Sequence, residues 1–326
     1  MDGGDVLFRQ WPGQVKTADL ADETGAELAG GLFEVEQLRV VDVARRLAAP
    51  HRPVLRAIDH RGRDEVVHAG GPLRDPTGRV LTDKAGHRIL PDSGVYQRGI
   101  AFRLNRDFTG VEVIGHNFRN PFELALDSYG NVWQSDNDDD GNRAVRINYV
   151  MEHGNYGYTD EITGAGWRTP RTGMHDSIPL RHWHLRDPGV VPNVLQTGAG
   201  SPAGIMVYDG DLLPERYRAA MIHADAGTRV VRAYPVENDG AGYRGRVEPI
   251  LTGTDDPLFR PVDVAAAPDG SLFVADWYDP GVGGHNVGDL GNGRILRVTP
   301  AGDTEYRVPA ADLSSAEGAA AHLSDP

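Results

Sequence analysis

The sequence predicts an all-β chain: a β-propeller of the six-bladed type, incomplete at its N-terminal end, with a short helix starting at its C-terminus. Three observations predict it. Gly and Pro are abundant, a strand-like unit recurs at blade-length spacing, and a hairpin unit recurs ahead of two of its copies.

Of 326 residues, 41 are Gly and 22 are Pro. A chain that turns this often suits short strands and argues against a helical bundle. Hydrophobic residues make up 40% and charged residues 25%, the balance of a soluble globular protein. The net charge of −14 disfavours nucleic acid as a partner, because phosphate binding needs a basic surface. With no Cys, the chain holds no disulfide, no thiolate chemistry and no CxxCH haem attachment. No run of about 18 apolar residues exists, so a membrane-spanning segment is not expected. The start, Met1-Asp-Gly-Gly-Asp5, has neither a basic nor an apolar signal region, so no signal peptide is visible in this chain.

The strand unit has the form Gly-x-x-apolar-Arg-apolar. It occurs at Gly99 to Leu104 and at Gly293 to Val298, and with an extra residue at Gly227 to Ala233. Asn142 to Ile147 is a fourth copy with Asn in the leading place. Arg103 and Arg146 are one blade length of about 43 residues apart, Arg146 and Arg232 two, and the step to Arg297 needs a blade with a long loop.

The hairpin unit is Glu123 to Asp136, which aligns without gaps on Asp263 to Asp276. In each copy a short strand meets a turn closing on Gly130 or Gly270. A strand with Trp133 or Phe273 follows and ends on an Asp. Gly supplies the positive φ of the turn, and the aromatic fills space between blades. Ser201 to Asp225 is a third, degenerate copy. Residues 96–305 are therefore read as the propeller blades. Residues 1–95 read as one irregular blade with insertions, including strand patterns around Val66, Val67, Val80 and Leu81 and a helix-like stretch from Val43 to Ala48. Residues 155–200 lack periodicity and read as a long structured loop or an irregular blade. Residues 306–326 read as a linker and the start of a helix, with Ser314-Ser-Ala-Glu317 as its capping box, and suggest a piece cut from a longer protein.

Four groups carry candidate chemistry. Asp136, Asp138 and Asp140 fall at alternate positions of a D-x-D-x-D-G loop, and the carbonyl of Asn142 would add a further oxygen, a pattern suited to calcium. A solvated turn countered by Arg143 and Arg146 is the other reading. Ile147 replaces the Glu that an EF-hand requires. His182-Trp-His184 would place two imidazoles on one face of a strand, for a metal or for ordinary polar packing. His223 and Asp225 alternate onto one face, either as a general base oriented by a carboxylate or as a blade-end hydrogen bond. Asp276, Asp279 and His285 surround a Gly-rich loop and either line a pocket or brace the turn. No G-x-S-x-G or P-loop fingerprint is present, which weakens hydrolase and NTPase readings.

Gly115-His-Asn-Phe-Arg119-Asn120-Pro121 through Ala125 resembles the G-x-R-N-P-x-x-L-A motif of the soluble quinoprotein glucose/sorbosone dehydrogenases, with two extra residues between Gly and Arg. The likeness continues at Gly154 to Gly157, Tyr208 to Pro214 and Arg260 to Leu272. Gln134 to Asn142 and Asp276 to Gly281 resemble, more closely, the propeller of PVC-type membrane-bound dehydrogenase proteins, which continue into helical repeats and a haem-binding CxxCH domain.

The resemblance implies a propeller holding pyrroloquinoline quinone and calcium, with Arg119, Asn120 and Arg260 as cofactor-binding positions. It implies a sugar or alcohol substrate, a cytochrome c-type haem domain elsewhere in the parent protein, and a periplasmic or secreted location. Departures accompany it. Val262 stands where the family has a second Arg, and Asp225 where it has a cofactor-contacting Lys, so that repulsion of the acidic quinone is expected. The calcium loop of the enzymes differs at Ser135 to Asp138. Their catalytic His has no counterpart in residues 1–95. The expectation is a dehydrogenase module passing electrons to a haem domain. The alternative is a non-catalytic, calcium-stabilised propeller that binds carbohydrate or a protein partner.

Overall fold

The turn-and-strand repeat folds as the sequence predicts. In the computed structural model, side chains are described for residues 72–90, 95–96, 98–105, 107–137, 143–277, 293–302, 306, 312 and 314–322, and backbone strands at 33–38, 57–58 and 64–68. Gly130 and Gly270 both adopt left-handed backbone, at φ 82° and 81°. Each closes a hairpin between an inner strand and its neighbour, the conformation only Gly takes without strain.

Four sheets result. The first holds β2 (Ala57–Ile58), β3 (Asp64–His68), β4 (Gly99–Leu104) and β5 (Glu112–Phe118). The second holds β6 (Pro121–Leu126), β7 (Val132–Asp136), β8 (Val145–Tyr149) and β10 (Leu195–Gly198). The third holds β11 (Pro202–Tyr208), β12 (Ala220–Asp225), β13 (Val230–Tyr234) and β16 (Glu248–Thr252). The fourth holds β17 (Pro261–Ala266), β18 (Leu272–Asp276) and β19 (Arg294–Pro300), completed by β1 (Phe33–Leu38). A small hairpin, β14 (Val236–Asp239) with β15 (Gly242–Gly245), projects from the third sheet. Consecutive four-stranded antiparallel sheets of this kind are propeller blades.

The inner strands β6, β11 and β17 lie side by side, and apolar layers fill the spaces between blades. Phe118, Leu124, Val132 and Tyr156 pack the first blade on the second. Trp133, Ile147, Met221 and Tyr234 pack the second on the third, where Trp133 also meets Tyr149 and Tyr243. Ile222, Leu251, Val264 and Val274 pack the third on the fourth.

Several expectations are corrected. The described strands of residues 1–95 are divided between two sheets. Their first strand, β1, pairs antiparallel with β19 from Phe33↔Pro300 to Leu38↔Ile295, at the outer edge of the last sheet, while β2 and β3 open the first. Val80 lies in an isolated bridge with Arg74, and Leu81 packs with Leu73 and Ile89. Residues 43–48 lie outside the described residues. The 155–200 loop contains α1 (Ile178–His182), and its approach strand β9 (Gly154–Asn155) adds parallel to β5, tying the second blade's insertion to the first blade. The C-terminal helix, α2 (Ala316–Ala321), is capped by Ser315, whose Oγ accepts the Gly318 N–H at 2.9 Å, and not by Ser314.

Candidate functional site: the rim of the inner strands

The three inner strands begin alike. Pro121, Pro202 and Pro261 each stand opposite an Asp at the end of the neighbouring strand: Asp136, Asp225 and Asp276. A bulge follows each Pro. Pro has no N–H, so the strand's first ladder bond is missing and the aspartate takes over the preceding amides.

Asp136 accepts the N–H of Asn120 at 2.8 Å and of Arg119 at 3.1 Å. Arg146 closes on its Oδ2 through Nε at 3.2 Å and Nη2 at 2.7 Å, with both side chains wholly buried. Asp225 accepts the Ser201 N–H at 2.8 Å and pairs with Arg232 at 3.1 Å. Asp276 accepts the Arg260 N–H at 2.8 Å and pairs with Arg294. Arg294 continues to Asp256 at 2.7 Å.

The Arg repeat read from sequence therefore does not mark equivalent sites. Arg297, further along the same strand than Arg294, pairs with Asp269 at 2.8 Å. Arg103 pairs with Glu152 on the first blade's edge.

These clasps bring Arg119, Asn120 and Arg260 onto one rim. The inner strands are level, because Ile205 N–H bonds Glu123 across one blade boundary and Gly204 abuts Asp263 across the next. Arg119 donates Nη1 to the Asn137 carbonyl at 3.2 Å, and Arg260 donates Nη1 to the carbonyls of Pro257 and Phe259. Asn120 is exposed.

The remaining candidates fare differently. Asp136 has both carboxylate oxygens committed to amides and Arg146, which is a different task from holding calcium. Asp138, Asp140, Asn142, Asp279 and His285 lie outside the described residues. Among the described residues no group of three or more His, Asp or Glu is arranged to hold a metal.

His223 is wholly buried, with Nδ1 3.0 Å from the Tyr234 hydroxyl. Asp225 turns to Arg232 and to backbone amides, so it does not orient that imidazole as expected. Burial pushes His223 down to about 4, which keeps it neutral. The same burial removes the repulsion expected of Asp225, whose charge faces Arg232 and not the rim. His182 ends α1 and His184 follows it, so neither lies on a strand. His184 Nδ1 meets the Gly157 carbonyl at 2.7 Å, and His182 packs against Tyr158 and Trp167.

Two features were missed in the sequence. Glu123 and Asp263, the aligned first residues of the hairpin repeat, lie on the inner strands either side of β11 and influence each other electrostatically. Burial is the largest influence on Glu123, with the Asp263 charge next, and together they raise it to about 8. Burial likewise raises Asp263. Their shared repeat position was the available signal. The second feature is Tyr158, which has Arg98 and Arg119 against its ring at 5.8 and 5.9 Å.

Cavities of about 330 and 300 Å³ lie elsewhere, one beside Arg229 and Thr254, the other beside Tyr96 and His116. Neither is lined by Arg119, Asn120 or Arg260.

No curated protein matches the sequence. Among solved structures, a Thermus thermophilus oxidoreductase described as a glucose dehydrogenase is similar at 18% identity and TM-score 0.49, over 77% of this chain and 66% of that one. The soluble aldose sugar dehydrogenase of Escherichia coli, in its apo form, is similar at 17% identity and TM-score 0.47, over 76% and 63%. The PQQ-bound aldose sugar dehydrogenase of Streptomyces coelicolor is similar at 17% identity and TM-score 0.47, over 75% and 60%. The chain thus spans less than two thirds of the length of these structures. Residues 64–287 match the family model of a domain of unknown function, DUF7133, and the chain belongs to that family.

Proposed function

We propose that this chain is the propeller module of a quinone-type dehydrogenase that oxidises a sugar or alcohol and passes the electrons to a haem domain outside this chain. The observation that carries this reading is the placement of Arg119, Asn120 and Arg260 on one rim, each backbone held by a buried aspartate.

The residues present fit an acidic quinone such as pyrroloquinoline quinone. Guanidinium groups from two blades stand at one end of the inner strands, each donating to a nearby carbonyl, and planar forks of this kind match carboxylates. Asp225 is buried and paired, so it does not oppose such a ligand. Arg119 and Arg260 would hold the cofactor's carboxylates, and Asn120 would orient the substrate. The chemistry that the quinone supplies when bound is acceptance of two electrons from the substrate's alcohol carbon. The hydroxyl proton needs a separate acceptor. His223, sealed from solvent and bonded to Tyr234, does not serve as that acceptor.

Calcium belongs to the same proposal, with Asp138, Asp140 and the Asn142 carbonyl as its ligands. A periplasmic or secreted location accords with such an enzyme. The described helices include none long and apolar enough to cross a membrane.

A second reading, a calcium-stabilised propeller that binds carbohydrate or a protein without catalysis, is favoured by Val262 and by the sealed His223. Titration with pyrroloquinoline quinone and calcium, followed by dye reduction with sugars and alcohols, separates the two. Quinone binding that is lost in Arg119→Ala, together with dye reduction, supports the enzyme. Absence of quinone binding at every calcium level favours the second reading.

A further inference from the structure

The seam between the first and second blades joins Arg119 to two side chains that the quinone reading does not use, Arg98 and Tyr158. Arg98, just before β4, is exposed, and its guanidinium carbon lies 5.8 Å from the centre of the half-buried Tyr158 ring. Arg119 approaches the same ring at 5.9 Å. Among the described residues Arg98 makes no ion pair.

Three separate structural commitments bring these side chains together. Arg98 itself adopts φ 59°, a left-handed backbone that a non-Gly residue takes at a cost. Gly99 lets β4 approach the second blade so closely that a Cβ there would lie 2.7 Å from Pro121 Cδ. Asn117, also left-handed at φ 66° and wholly buried, holds the segment that carries Tyr158. Its carbonyl accepts the Tyr158 N–H at 2.9 Å. Its side chain accepts the Thr159 N–H and hydroxyl at 3.0 Å each and donates to the Asn155 side chain at 2.8 Å. Strain held in place by its surroundings in this way gathers at ligand sites.

Two guanidiniums flank one aromatic ring, on a chain whose net charge is −14. From this geometry we propose that the Arg98–Tyr158–Arg119 seam binds the carboxylate of an acidic saccharide, such as a uronic acid. Arg98 supplies a bidentate fork to the carboxylate, and its contact with the Tyr158 ring orients that fork. The saccharide part rests on the proposed dehydrogenase function. The requirement for an anion rests on the seam alone.

The test is calorimetric titration of galacturonate, glucose and glucose 6-sulfate into the quinone-free protein and two variants. Arg98→Gly removes the charge and relieves the left-handed strain, so it folds. Arg229→Gly is the matched control, because Arg229 is also left-handed, at φ 57°, and lies on the third blade. Galacturonate is expected to bind the wild type and Arg229→Gly alike and to bind Arg98→Gly about tenfold more weakly. Glucose is expected to bind wild type and Arg98→Gly equally. Equal galacturonate affinity in all three proteins, no galacturonate binding by the wild type, or preference for the sulfate ester would each overturn the proposal. No quinone takes part in the titration, so failure of the quinone reading alone leaves this result standing.

Discussion

Asp136 and Arg146 face each other across β7 and β8, both wholly buried, with the Trp183 ring 3.6 Å from the guanidinium carbon. The Trp183 indole N–H is bonded to the Ala144 carbonyl at 2.6 Å, so the insertion is anchored on the same pair. Removing one partner leaves an uncompensated buried charge. Asp136→Ala is expected to lower stability by about 3–5 kcal/mol, read by urea denaturation. Asp225→Ala is expected to cost less, because Arg232 keeps partial contact with water. Equal losses would show that burial of the pair is not the governing factor.

Glu123 gives the protein a pH dependence of definite sign. Its carboxyl is raised from the ordinary 4.5 to about 8, so the folded state holds a proton that the unfolded state has lost. Its stabilising contribution is complete below about pH 4.5, declines as pH rises, and is gone above about pH 8. The range corresponds to a few kcal/mol at most. Glu123→Gln keeps an acceptor for the Ile205 N–H and removes the titration. The variant is expected to match the wild type at pH 4.5 and to melt at a higher temperature at pH 8.5. Parallel melting curves across this range would rule the linkage out.

Gly204 sits where the inner strand β11 closely approaches β17. A Cβ there would lie 2.7 Å from Asp263 Cα and closer still to its carboxylate. Because the obstruction includes backbone, Gly204→Ala is expected to destabilise by about 1–3 kcal/mol. Thermal melting that matches the wild type would show that the inner strands are more loosely packed than described.

Calcium is expected to raise the melting temperature through the acidic loop, as a ligand that binds only the folded state does. The shift should vanish in the Asp138→Ala, Asp140→Ala double variant and persist in a variant altered at Asp211. A calcium shift unchanged by the double substitution would place the cation elsewhere.

Much of the fold was legible because its signals are local. The turns closing on Gly130 and Gly270 need left-handed backbone, and the Asp that ends each following strand recurs in sequence. The pairing of β1 with β19 was not legible, since it joins opposite ends of the chain and no local pattern records it. Arg294 and Arg297 share one strand, and only the register distinguishes which meets Asp276. His223 and Asp225 do share one face of β12. That face is covered by the neighbouring blade, which converts a candidate base into an interior side chain. Arg119, Asn120 and Arg260 were legible by resemblance, while the aspartates that hold their backbones were read as cation ligands or turn braces.

A quinone site on this rim is tested most directly by fluorescence titration of the calcium-loaded protein with pyrroloquinoline quinone, repeated on the Arg119→Ala, Arg260→Ala double variant. Saturable quinone binding is expected for the wild type, and its loss in the double variant, with unchanged melting temperature. Binding that survives both substitutions, or no binding by the wild type, would contradict such a site.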